Sequence, residues 1–354
     1  MNRISLKFPV TMRAMLALVL FVFAGAAARA QAPQTVGQNV DIGKSSLQML
    51  RVQGNVYMIA GAGANVTVQV GEKVVIVVDA GTADKSAEIV AAIKAVTDKH
   101  IMFVIDTSAD EDHTAGNGNL SKAGWVLPNA ALGPMQTAGD IGLTLPPGAS
   151  IVAHVNVLGR MSDSVKTAKP VPSSDWPTDP YDTDEWKLYN GEGIVMYHPA
   201  SAHTDGDSIV YFRKSDVISA GDIVSFNSYP VIDLARGGSI NGEIDSLNML
   251  IDLLIPVENE EGGTYVIPGH GRICDRNDVV GYRDMVTIVR DRVQAGIDEG
   301  KTLEQIESAK PTLDYDGLYG STTGPWTTNM FLEAVYKDLS KVKKQAGSKM
   351  GGGK

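Results

Sequence analysis

Four consecutive residues, Asp110, Glu111, Asp112 and His113, place three carboxylates and an imidazole just after an apolar run, Ile101-Met-Phe-Val-Ile105, that has the composition of a buried strand. Such groups build a core badly, because each buried charge needs a partner. They hold a cation well, since carboxylate oxygens and imidazole nitrogens are common donors to divalent metals. Three further loops beside β-like runs offer the same chemistry. His203 lies in Ser201-Ala-His-Thr-Asp-Gly-Asp207, Asp222 closes a strand at Ala220-Gly-Asp222, and His270 sits in a tight turn, Pro268-Gly-His-Gly271. Glycines beside these positions let the backbone bend sharply and leave room for an ion. The expectation is that Asp110, Asp112, His113, His203, Asp222 and His270 converge on one metal centre. Mixed imidazole and carboxylate donors suit zinc, iron or manganese better than calcium or magnesium.

Each residue alone has an ordinary explanation. Asp112 can cap the following helix, and Asp222 can be a turn residue. It is the joint placement of all six at the ends of strands that points to a metal. The other histidines carry less: His100 reads as a surface residue, His154 as a packing residue and His198, just before Pro199, as structural. Cys274 is the only cysteine, so no intramolecular disulfide is possible. Its place near His270 fits packing better than a reactive thiol.

The elements that must position these residues follow from hydrophobic period. Residues 65–70 alternate, Gly71 to Lys73 form a turn, and 75–78 run apolar, which is a hairpin signal. Ile89, Val90, Ile93 and Val96 then recur at helical spacing. With the strand at 101–105, the first third reads β-β-α-β. Short strands follow at 194–197, 208–212, 217–220 and 265–267. A helix over 239–254 carries Ile240, Ile244, Leu247, Ile251 and Leu254 on one stripe. The tail is helical over 279–297, from the capping box Thr302-Leu-Glu-Gln305, and over 325–339. Residues 160–190, with Pro170, Pro172, Pro177 and Pro180 among Trp176 and Trp186, show no period and are expected to form a long irregular loop of the kind that can act as a lid.

Bulk properties bound the rest. The 354 residues, 44% of them hydrophobic, supply a sizeable core. A net charge of −10, with no basic face, argues against nucleic acid and leaves a small molecule as the expected partner. Residues 1–30 have the form of a signal peptide: Arg3, Lys7 and Arg13, then an apolar run over 15–27, then Ala28-Arg29-Ala30. The run is short of the roughly 20 residues a span needs. The chain is therefore expected to be periplasmic or secreted, cut after Ala30, with no membrane span left. Losing four basic and no acidic residues takes the charge from −10 to near −14. Residues 31–45 are expected to be a loose lead-in, 46–340 one domain with its C-terminal helices from about 277, and 341–354 a flexible tail.

The segments 107–117, Ala202-His-Thr-Asp-Gly-Asp207, Gly221-Asp222 and Pro268-Gly-His-Gly271 resemble, in order, the motifs of the metallo-β-lactamase superfamily, and Val78-Asp-Ala-Gly81 is similar to its opening motif. The resemblance covers roughly 46–340. It implies an α/β (α+β) fold, a four-layer αβ/βα sandwich with a metal centre at one edge and extra C-terminal helices. It implies that Asp112, His113, His270 and a bridging Asp222 form one site, and that His203 and Asp222 with Asp110 form another. In the family's first loop, histidines usually stand where this chain has Ser108 and Asp110, so that other site is expected to be weak or to take a different metal. One tightly held zinc is expected, with iron or manganese as alternatives. The function implied is an exported hydrolase acting on an amide, lactam, lactone, thioester or phosphoester through a metal-activated water. Asp112 is expected to be the catalytic residue that orients or deprotonates that water. The alternatives are an iron-dependent oxidoreductase of the same fold and a degenerate, non-catalytic binding protein. His113 and His270 must be neutral to bind, so metal and activity are expected to fade below about pH 6.

Overall fold

The computed structural model describes residues 36–124, 148–259 and 262–351; the expected leader and its cleavage point lie outside the described residues. The described strands form two sheets. The first runs in chain order: β1 (Gln38–Val40), β2 (Gln48–Gln53), β3 (Val56–Ala62), β4 (Ala64–Val70), β5 (Val75–Val78), β6 (Ile101–Ile105), β7 (Ser150–His154) and β8 (Asp179–Tyr181). It is antiparallel up to β5 and parallel from β5 to β8. The second contains β9 (Glu185–Tyr189), β10 (Glu192–Tyr197), β11 (Ile209–Phe212), β12 (Val217–Ser225) and β13 (Tyr265–His270), in that spatial order, and only its β12–β13 pair is parallel. The helices are α1 (Ser86–Val96), α2 (Glu111–Thr114), α3 (Asn117–Ala123), α4 (Val155–Asp163), α5 (Ile240–Leu253), α6 (Arg276–Asp298), α7 (Leu303–Ser308), α8 (Asp316–Tyr319) and α9 (Thr328–Gly351).

Strand β5 shows why the layers stack as they do. Side chains alternate between the faces of a strand. Val75 and Val77 pack with Ile89 and Ile93 of α1, while Ile76 and Val78 pack with Ile194, Phe212 and Ile267 of the second sheet. A strand buried on both faces has to be apolar throughout, which is why 75–78 reads as an unbroken run. On the far side of the second sheet, Ile218 and Ala220 meet Leu247 of α5, Val286 and Val289 of α6, and Phe331 of α9. The order is helices, sheet, sheet, helices: the αβ/βα sandwich, with α6 to α9 as the additional C-terminal helices. Truncating one of these buried aromatic side chains, Phe331 for example, costs about 3–5 kcal/mol.

Strand β4 departs from the apolar rule between the sheets, and it does so beside the site. The inward face of β4 carries Asn65 and Thr67. Asn65 donates to the carbonyls of Pro268 (2.9 Å) and Gly271 (3.0 Å), and Thr67 bonds Ser219 across the sheets at 3.0 Å. These polar bridges fix the end of β13, and with it His270, against the first sheet.

The helix starts follow the sequence. Ser239 caps α5, and Thr302 and Gln305 form the expected capping box at α7. Four details differ. Asp222 does not close a strand: β12 continues to Ser225, and its register with β13 shifts at Gly221. His270 is the last residue of β13 rather than part of a turn. Within 31–45, residues 38–40 add an edge strand to β2. The last helix, expected to end near 339, runs to Gly351, because 340–346 holds no Gly or Pro and is rich in good helix formers.

The 160–190 segment also differs from the expected irregular loop. It contains the end of α4 and two strands that close one edge of each sheet, β8 and β9. Pro180 fits there because an edge strand tolerates a missing donor. Trp176 packs against Val157 and Met161 and donates to the carbonyl of Val171 at 3.1 Å. The excursion is built into both sheets and is not a free-standing cover.

Candidate metal centre

Strand β6 is followed by Asp106 and Thr107, both buried, and the next residues deliver the carboxylates. Asp110 holds the N-cap position of α2 but makes no capping bond, and Asp112 lies inside the helix. Neither carboxylate is used for capping. Ser108, where the family's motif has a histidine, turns back to accept from the amide of Asp110 at 3.2 Å.

His113 is fully buried. Its Nδ1 faces Asp79 Oδ2 at 2.9 Å. Asp79 in turn accepts from the amide of Thr107 at 2.8 Å and from the Thr107 hydroxyl at 2.8 and 3.0 Å. A carboxylate behind Nδ1 keeps the proton on that nitrogen and turns the Nε2 lone pair forward. His203, also buried, is set the same way by a backbone acceptor: its Nδ1 donates to the carbonyl of Val231 at 2.7 Å.

Asp222 stands between these rings. Its Oδ2 lies 3.2 Å from His113 Nε2 and 3.9 Å from His203 Nε2, and its Oδ1 lies 3.5 Å from His270 Nε2. His270 Nε2 is also 3.2 Å from Asp112 Oδ2. Two glycines make the approach possible. A side chain on Gly269 would meet Asp222 Oδ1 at 2.3 Å, and one on Gly221, whose φ is +53°, would meet Thr107 Oγ1 at 2.6 Å.

All six expected residues thus come together, in two groups. Asp112, His113 and His270 form one, and Asp110, His203 and Asp222 form the other; within each, one donor atom per residue lies within 4.8 Å of the others. The donor set fits a divalent metal. His113 Nε2 and Asp222 Oδ1 are both buried and, among the described residues, neither has a hydrogen-bond partner, an arrangement that costs free energy unless something else binds them. The charges agree. Burial opposes protonation of His113, but Asp222 and Asp79 outweigh it and hold the ring's pKa well above its usual value. For His203, burial is again overcome, by the Asp110 hydrogen bond and the charge of Asp222, and the ring is pushed up to about 10. Burial of Asp222 would raise its pKa, yet His113, His203 and His270 together hold it below the usual carboxylate range. Without an ion, protons on the rings supply the positive charge that the carboxylates demand.

Sequence reasoning missed two participants. Asp79 orients His113; its buried position right after β5, at φ +62°, is a constrained one for a non-glycine residue. Arg236 pairs with Asp110 through Nη1 and with Asp233 through Nε at 2.6 Å. Nothing in its local sequence marks it. The remaining histidines stay out of the centre. His154 caps α4 by accepting from the amide of Asn156 at 3.3 Å and stacks on His198 at 3.5 Å, and His100 is exposed. Cys274 is buried among core residues, and burial pushes its thiol well up, away from the reactive thiolate.

Two facing sheets, helices outside and a cluster of imidazoles and carboxylates able to hold a metal ion define an αβ/βα protein with a candidate metal centre. The family model of the metallo-beta-lactamase superfamily matches residues 52–270, and the chain belongs to that superfamily. No curated protein matches the sequence. Among solved structures, the stereoselective inverting sec-alkylsulfatase Pisa1 from Pseudomonas sp. is similar at TM-score 0.56 and 14% identity, over 82% of this chain and 49% of that one. The chain thus spans about half the length of that sulfatase. The DIM-1 metallo-beta-lactamase aligns at TM-score 0.47 and 17% identity, over 69% of this chain and 98% of its own.

Proposed function

We propose that this chain is an exported, zinc-dependent hydrolase of a small-molecule ester, lactam, lactone, thioester, amide or phosphoester. The observation that carries the reading is a pair of buried atoms with no hydrogen-bond partner among the described residues, His113 Nε2 and Asp222 Oδ1, with Asp79 behind the His113 ring. Asp112, His113, His270 and Asp222 would hold the tight ion, and iron or manganese are the alternatives. A divalent ion there would lower the pKa of a water towards about 7 and polarise the substrate's oxygen. Asp112 would take or orient a proton, a role supported by its carboxylate being partly exposed at 37% and bordering His270. Asp222, at 13% exposure, and the fully buried His113 are too enclosed to meet substrate and serve to fix the centre. The engagement of Asp110 by Arg236 disfavours the alternative of an iron-dependent oxidoreductase, where that oxidoreductase would need a second ion at Asp110.

The test is a hydrolysis screen over ester, lactam, phosphoester and sulfate-ester probes, run on metal-loaded and chelated protein with Asp112→Asn alongside. Turnover that needs the metal and falls at least about a hundredfold in Asp112→Asn supports the reading. Turnover indifferent to chelation, or no turnover by protein of verified metal content, contradicts it. Export is tested separately: a secreted product whose first residue is Met1 would refute cleavage after Ala30.

A further inference from the structure

The loop after β12 wraps His203 on two sides. Val231 gives its carbonyl to His203 Nδ1, and five residues later Arg236 reaches the carboxylate that His203 Nε2 faces. Asp110 is thereby engaged twice: Oδ2 lies 2.6 Å from His203 Nε2, and Oδ1 accepts from Arg236 Nη1.

The guanidinium is held in place by more than this contact. Residues 234–236 form a single 3-10 turn capped by Asp233, which accepts from the amides of Ala235 (2.9 Å) and Arg236 (3.0 Å) as well as from Arg236 Nε. The turn is stitched to the His203 loop, since the amide of Asp233 donates to the carbonyl of His203 (3.0 Å) and the amide of Asp205 to the carbonyl of Arg236 (2.9 Å). Arg160, from α4, ties both together by donating to Asp205 Oδ1 and, at 2.6 Å, to the Arg236 carbonyl. A side chain anchored this way has little freedom to withdraw.

We infer that Arg236 is the built-in occupant of the second cation position, a permanent positive charge that satisfies Asp110 and makes this a one-ion centre. Arginine suits the task because it stays charged at any working pH and its planar fork matches a carboxylate. A second divalent ion at Asp110, His203 and Asp222 would have to displace the guanidinium from Asp110 or sit against its charge, and like charges at close range repel. The neighbouring group carries no such penalty: among the described residues, no arginine or lysine is paired with Asp112 or His270, which face each other while His270 also faces Asp222. The inference rests on the metal-centre reading above, and it assigns to Arg236 the choice between one ion and two.

The test counts ions directly. Full-length protein is titrated with zinc and its stoichiometry read by native mass spectrometry, for the wild type, Arg236→Lys and Arg236→Gln. Lysine keeps the charge and glutamine keeps a hydrogen-bonding side chain without it, so the two variants separate charge from loop packing. One zinc in the wild type and Arg236→Lys, and two in Arg236→Gln with the second bound at least about tenfold more tightly than in the wild type, is the expected result. One zinc in all three overturns the role of Arg236 while leaving the one-metal hydrolase intact. Two tight zincs in the wild type overturn the inference outright, and no zinc in any of them overturns the metal centre as well.

Discussion

Two clusters of nearly the same composition, a few ångströms apart and joined by Asp222, differ in what stands behind them. Behind His113, Asp79 fixes the tautomer and leaves Nε2 without a hydrogen-bond partner among the described residues. Behind Asp110, Arg236 takes the oxygen that His203 does not. The second cluster carries a guanidinium already, whereas among the described residues no arginine or lysine pairs with Asp112 or His270 of the first. Ligand types alone do not make an ion site; the groups that engage or release their lone pairs decide it.

The largest effect should come from removing what the clusters share. Asp222→Ala is expected to yield protein without tightly bound metal and activity lower by about a thousandfold or more, measured by metal analysis and turnover on the same sample. A variant that keeps one ion at full affinity would show that the clusters are independent. Next comes the support of the first cluster. Asp79→Asn should weaken metal binding by about 10–100-fold in a chelator competition, without changing the number of ions.

The histidines sharpen the contrast through pH. His203 in the metal-free protein is pushed up to about 10, above its unfolded value of about 6.5. A raised pKa means that the proton stabilises the fold; this contribution is complete below about 6.5 and is lost as pH rises through about 10. Chelated protein should therefore lose thermal stability between about pH 7 and 10, while metal-loaded protein loses less. The same protons compete with metal, so affinity should keep rising across that window rather than level off above pH 6. A flat melting temperature for the chelated protein over this range would count against the imidazole–carboxylate pairing. The smallest effect belongs to a residue far from both clusters. Trp186, 67% exposed on the edge strand β9, should change stability by no more than about 0.5 kcal/mol on substitution by alanine, with metal content unaltered.

Much of this was legible in the chain. The apolar run 75–78, the helix over 86–96 and the strand 101–105 announced themselves by period, and Asp112, His113, His203, Asp222 and His270 by residue type. What stayed hidden was long-range. Pro-rich 160–190 lacks a hydrophobic period because its two strands lie at sheet edges, where one-sided burial and proline are both tolerated. Asp222 read as a strand end because Ala220-Gly-Asp222 has the composition of a turn. Gly221, at positive φ, is instead an irregularity inside β12, and a glycine in a sequence looks the same in either setting. Arg236 could not be found at all. It lies 126 residues from Asp110, and an arginine after Asp233-Leu-Ala looks like any solvated surface residue.

The most direct test of the two-cluster account is anomalous diffraction at the zinc edge from crystals of zinc-loaded protein. One strong peak is expected within about 2.0–2.2 Å of donor atoms from Asp112, His113, His270 and Asp222, with Arg236 still on Asp110. A peak between Asp110 and His203, or none among these six residues, would contradict it.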